Sequence, residues 1–123
     1  MTEAGGWRCP DDGAAVAELA RDLPTRGRVR LERGGHEFAL IAEAQHDRAG
    51  KVNEVRVVLR RSGGAFVGPR GSFPALGSIV DSMSFTVSSP VVSLQRLSGS
   101  DRARVCQTAV ALLERAGRRL DVT

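Results

Sequence analysis

Between Arg28 and Ile41 the chain alternates apolar and polar residues on both sides of a glycine pair. Val29 and Leu31 sit among Arg28, Arg30 and Glu32, Gly34-Gly35 follows, and Phe38 and Leu40 resume the two-residue rhythm. Only an extended backbone sends alternate residues to one face, so this spacing predicts strands. Two consecutive glycines accept the positive φ values of a tight turn, which makes the segment an antiparallel hairpin. Ala39 and Ile41 then occupy the second face. After the polar stretch EAQHDRAGKVNE, a third strand is expected with Val55, Val57 and Leu59 on one side and Arg56, Val58 and Arg60 on the other. A hairpin is marginal in water by itself, so a covering element is required.

The carboxy-terminal segment supplies it. Val105, Ala109, Leu112, Ala116 and Leu120 recur at helical spacing, broadened by Cys106, Val110 and Leu113. Ser98 or Ser100 starts this helix, and Ser98 followed by Asp101 matches a capping box. Arg115, Arg118 and Arg119 fall in the last turns, where each cation adds ~0.3–1 kcal/mol against the helix dipole. A first helix is expected from Val16, Leu19, Ala20 and Leu23, capped by Asp11 or Asp12 and ended by Pro24 and Gly27. Residues 1–10 read as a flexible arm in which Trp7 is the one residue able to dock. Residues 11–123 then form a single α+β domain: a small, mainly antiparallel sheet of three to five strands packed against the C-terminal amphipathic helix, with a short N-terminal helix. Phe73, Leu76, Val80 and Met83 recur at three, four and three, predicting one more helix capped by Ser72 with Pro74 in its first turn. Phe85 and Val87 suggest a strand interrupted by Pro90, and Val92 with Leu94 another.

At 123 residues and 13.1 kDa the chain suits one domain. With four Phe and one Trp, its core must come from Val, Leu, Ile and Ala. Of its 18 basic residues all but Lys51 are arginine, a usage that fits a GC-rich bacterial coding bias. The net charge of +4 is unevenly placed, −2 over residues 1–50 and +6 over residues 51–123, an asymmetry able to steer an acidic protein or nucleic acid. No stretch approaches the ~20 apolar residues of a membrane span, so no membrane partner is expected. The start of the chain, acidic and glycine-rich, lacks the apolar run of a secretory signal. Cys9 and Cys106 form no CxxC motif and read as free thiols, which suits a cytoplasmic protein.

The basic residues concentrate where a site would be sought. From Val55 to Val80 there is no acidic residue, while Arg56, Arg60, Arg61 and Arg70 are all present. Within that window GGAFVGPRGSF, residues 63–73, reads as a glycine-rich loop whose exposed N–H groups, together with Arg70 and the helix start at Ser72, could hold an anion. It is neither a Walker A motif nor a dinucleotide fingerprint. Arg56, Arg60, Arg61, Arg70 and Ser72 are therefore the candidate anion- or nucleic-acid-binding residues. His36 and His46 lie outside any HExxH or ligand spacing, so no metal or other cofactor is expected. Cys106 belongs to an apolar helix stripe rather than to a nucleophile's setting. Glu37, Glu43, Asp47 and Glu54 are scattered around strand ends, and Asp81 stands alone in an apolar stretch, placed to face water or to accept a hydrogen bond from an arginine. No catalytic residue is assigned.

The stretch VAELARDL followed by RVRLERGGHEFALI resembles the amino-terminal half of Phd/YefM-type antitoxins, a family in which a helix and basic hairpin dimerise and bind operator DNA. That resemblance implies a dimer and a nucleic-acid partner, but the family's toxin-wrapping tail has no counterpart in residues 51–123, which carry folded periodicities. The function expected is a non-enzymatic interaction or adaptor protein that self-associates as a homodimer. The alternatives are a nucleic-acid-binding regulator using the basic sheet and loop surface, and a small-molecule enzyme with a pocket between sheet and final helix.

Overall fold

The computed structural model describes residues 6–9, 16–68 and 71–122, with side chains described for these except at 16, 17, 19, 62–76 and 122. The expected hairpin is present as β1 (Arg28–Arg33) and β2 (His36–His46), joined by Gly34 and Gly35 at φ 58° and 80°. β3 (Val52–Gly68) pairs antiparallel with β2, and β4 (Gly71–Val91) pairs antiparallel with β3, giving the sheet order β1-β2-β3-β4. One long helix, α3 (Gly99–Val122), crosses one face of this sheet. The α+β architecture is therefore the one the periodicities implied.

β4 overturns the helix expected after Ser72. Phe73, Leu76, Val80 and Met83 lie in a strand, because β3 offers a ladder of partners from Ser62↔Leu76 to Glu54↔Thr86, with register shifts on either side of Arg60. A helix would leave those β3 groups unpaired. Gly77 also fits only the strand: a Cβ there would stand 2.8 Å from the Arg61 carbonyl oxygen across the ladder. The glycine-rich segment expected to be a loop is likewise strand on both sides, with Val67↔Ser72 and Gly68↔Gly71 paired. Beyond Phe38↔Arg61 no β2 residue pairs with β3, so the distal parts of β3 and β4 continue as a two-stranded ribbon. Pro90 does not end β4, which runs to Val91 through an irregularity where pairing passes from Thr86 to Val91. Leu94 belongs to a 3-10 turn, Leu94–Arg96, in place of the further strand expected from Val92 and Leu94.

The first helix is divided. α1 (Val16–Arg21) gives way at Asp22 to α2 (Leu23–Arg26), so Pro24 opens a second short helix where it was expected to stop the first. Gly27, at φ 75°, closes α2 by donating its N–H to the Leu23 carbonyl. Asp11 and Asp12, the expected caps, lie outside the described residues.

The core sits between α3 and the sheet. Val105, Ala109, Leu112, Leu113 and Ala116 meet Val29, Leu31, Leu40, Val55, Val57 and Leu59, with Ala20 and Leu23 closing one side. Each fully buried Leu or Val contributes ~1.5–3 kcal/mol, which carries the short helices. Trp7 joins this core: its ring stands edge-on to Phe38 at 4.9 Å between centroids, and its indole N–H donates to the Leu113 carbonyl at 2.8 Å. Arg8 exchanges backbone hydrogen bonds with Glu32, so this segment lies along the β1 edge.

Polar contacts fix α3 on β4. Ser98 Oγ accepts from the Asp101 N–H at 3.2 Å, half of the expected capping box. The Asp101 carboxylate turns away from Ser98 to accept from the Ser88 N–H and hydroxyl of β4. Arg104 donates to the Thr86 carbonyl and Arg115 to the Ser82 carbonyl, so helix side chains occupy backbone groups of the edge strand.

Candidate interaction surface

Strand alternation places the outer face, opposite α3, in rows read across the sheet. Glu43, Arg56 and Ser84 make one row; Arg28, Ile41, Val58 and Ser82 make the next; Arg30, Ala39, Arg60 and Ile79 make a third. Of the five candidate residues, Arg56 and Arg60 share this face. Arg61 lies on the opposite side, its guanidinium 5.8 Å above the Phe38 ring. Ser72 is paired with Val67 inside β4, so no helix start stands there to hold an anion. Arg70 lies outside the described residues.

The centre of the outer face is apolar. Val58 and Ala39 are 1% and 3% exposed, yet neither belongs to the core beneath α3. Ile41 lies beside Val58, and Ile79 is 48% exposed at the β4 end of the third row. Charges of both signs surround this centre. Arg30 pairs with Glu37 and Arg8 with Glu32, which resolves the like-charged cross-strand neighbours Glu32 and Glu37. Arg60 donates to the Gly77 carbonyl at 3.1 Å. Arg28, Arg56, Glu43 and Glu54 form no ion pair among the described residues, although Glu43 and Arg56 are direct cross-strand neighbours.

Sequence reasoning named Arg56 and Arg60 but missed that Glu43, Ile41, Ala39 and Ile79 accompany them. The signal available was the polar-side alternation of β2, Glu37, Ala39, Ile41 and Glu43. Its register against β3 was not available from any local pattern. Phosphate contact draws on groups that neutralise a backbone charge, and here Glu43 and Glu54 flank Arg56 on its own face.

The remaining titratable candidates are structural. Asp81, 9% exposed, accepts two hydrogen bonds from Arg115, Nε to Oδ2 and Nη2 to Oδ1, both at 2.7 Å, realising the arginine partner expected for it. Arg115 holds the Asp81 carboxyl below the usual aspartate range; burial opposes this, and the Ser82 N–H and Arg119 reinforce it. His36 and His46 stand exposed at opposite ends of the 11-residue β2. Among the described residues no group of three or more His, Cys, Asp or Glu is placed to hold a metal ion. Cys9 is buried and Cys106 partly buried, and among the described residues no helix is long and apolar enough to cross a membrane.

Comparison with protein-family models, curated proteins and solved structures finds no match to this chain.

Proposed function

We propose that this protein is a non-enzymatic interaction domain that self-associates as a homodimer through the outer face of its sheet. The observation that carries the reading is the apolar side chains accessible on the face opposite α3, Ile79 at 48% exposure and the half-buried Ile41, beside the buried Ala39 and Val58. A two-layer domain covers one sheet face with its helix, and apolar side chains left accessible on the other face suit a binding surface. Edge pairing is less suited to the task. Arg104, Arg115 and Asp101 occupy β4 backbone groups, and Arg8 bridges to Glu32 on β1.

Two observations favour binding over catalysis. The deep carboxylates, Asp81 and Asp101, are committed to Arg115 and Ser88. The space between sheet and α3 is occupied by Leu112, Leu113, Val57 and Leu59, all at 0% exposure, where a substrate pocket would have to lie.

Sedimentation equilibrium across a micromolar series tests the reading. The wild-type chain should show a concentration-dependent dimer, and Ile41→Ser should shift it toward monomer while leaving the circular dichroism spectrum intact. A wild-type chain that stays monomeric throughout removes the proposal.

A further inference from the structure

We infer that the flank of α3 beside β4 binds the phosphate backbone of nucleic acid, with Arg104, Arg115 and Arg119 as its contacts. The inference does not depend on the self-association proposed above, because it uses none of the outer sheet face.

Burial makes this flank one-signed. Arg104 stands 3.7 Å from Asp101, and Arg115 and Arg119 reach Asp81. The two carboxylates are 1% and 9% exposed, whereas the three arginine side chains are 42% to 64% exposed. Each pair therefore shows solvent its cation and hides its anion. β4 contributes no carboxylate besides Asp81. Of the exposed carboxylates of α3, Glu114 lies one turn before Arg118, which leaves that arginine out of the site, and Asp121 pairs with Arg33.

The arginines are held in place with donors to spare. A guanidinium carries five N–H donors. Arg104 gives one to the Thr86 carbonyl and stacks 4.5 Å from the centre of the Phe85 ring. Arg115 spends Nε and Nη2 on Asp81 and the Ser82 carbonyl, which leaves the donors of Nη1. Arg119, 3.5 Å from Asp81, makes no hydrogen bond among the described residues. Side chains fixed by their own fold lose little freedom on binding. From Arg104 to Arg119 the row extends roughly 22 Å along α3, about six or seven base-pair steps.

A phosphate backbone asks for cations alone, whereas a protein partner asks for apolar anchors. Between the arginines this flank offers Gln107, Thr108 and Ala111. Ile79 and Val92, the exposed large apolar residues among those described, lie off α3. Strand addition is obstructed as well, since Arg104, Arg115 and Asp101 occupy backbone groups of the β4 edge. The +6 balance of residues 51–123 draws a polyanion toward this half of the chain.

Fluorescence anisotropy of a labelled DNA duplex titrated with the full chain tests the site. Three phosphate contacts predict that affinity falls by about 40-fold between about 50 and 200 mM salt. Arg119→Gln should weaken low-salt binding by about threefold to tenfold and reduce the salt slope by about one. Its circular dichroism should not change, since Arg119 makes no hydrogen bond that holds the fold. Arg104→Gln should weaken binding similarly, and Arg104→Lys, which keeps the charge, should retain most of the affinity. Arg56→Gln, on the outer face, should bind as the wild type does.

Absence of wild-type binding at the lowest salt overturns the inference, as does binding that survives both Arg119→Gln and Arg104→Gln unchanged. Loss in Arg56→Gln alone moves the contact to the outer face and overturns it too. Polyglutamate that competes as well as unlabelled DNA of equal charge assigns the flank to acidic protein and rejects nucleic acid.

Discussion

The two faces of the sheet are made from the same strands with the same alternation, yet they solve different problems. On the α3 side the apolar residues are continuous from Val29 to Val87, and the polar groups admitted there are committed: Asp81 to Arg115 and Asp101 to Ser88. On the outer side a small apolar centre is ringed by arginines and glutamates, four of which have no ion-pair partner among the described residues. A face that completes its hydrogen bonds and ion pairs internally is built for stability. The outer face leaves four of its charges without such partners among the described residues, and it is the face through which self-association is proposed.

That contrast can be broken by substitution. Trp7→Ala should cost most, about 3–5 kcal/mol, because it removes a fully buried ring and the hydrogen bond to Leu113; urea denaturation followed by circular dichroism measures it. Leu112→Ala should follow at about 2–5 kcal/mol by the same method. Neither should change the dissociation constant of the proposed dimer, as both lie on the α3 side of the sheet.

Asp81→Asn should cost about 1–3 kcal/mol at neutral pH by weakening charge-assisted hydrogen bonds. Its pH dependence gives a sharper test. A carboxyl whose folded-state pKa is depressed stabilises fully above the ordinary aspartate value of about 3.9 and loses that contribution as pH falls through the lowered folded value. The gap between wild type and Asp81→Asn should therefore be constant from pH 7 to pH 5 and narrow below about pH 4. A gap that stays constant to low pH would mean that the Arg115 pair is not what stabilises the charged form.

Val58→Ala should have the smallest effect on folding, about 1–2 kcal/mol, and should weaken dimerisation as well. If it left self-association unchanged, the buried Val58 would serve folding alone and the proposed contrast between faces would rest on Ile41 and Ile79.

Much of the covered side was legible in the sequence. Gly34-Gly35 between alternating residues specified the hairpin, and Val105, Ala109, Leu112 and Ala116 specified the helix face that closes on it. The segment after Ser72 was misread because Phe73, Leu76, Val80 and Met83 imitate a helical stripe. The competing pattern, Asp81, Met83, Phe85 and Val87 toward α3 with Ser82, Ser84 and Thr86 between them, was also present in the chain, but its first apolar-side member is an aspartate. Arg115, 34 positions away, with help from Arg119 and the Ser82 N–H, makes that aspartate acceptable beside a core. The outer surface was half legible: Arg56 and Arg60 were found from β3 alone, whereas Glu43 joined them only through pairing between strands.

The sequence by itself determined which segments could bury a face, since periods of 2 and 3.6 are properties of consecutive residues. Tertiary structure decided what those faces meet. Gly77 had to be glycine because the Arg61 carbonyl lies against it, Asp81 could be buried because α3 brought Arg115, and Glu43 came to stand beside Arg56 because β2 and β3 share one register. Each of these depends on contact between residues distant in the chain, and a local pattern carries no information about which distant neighbour will supply it.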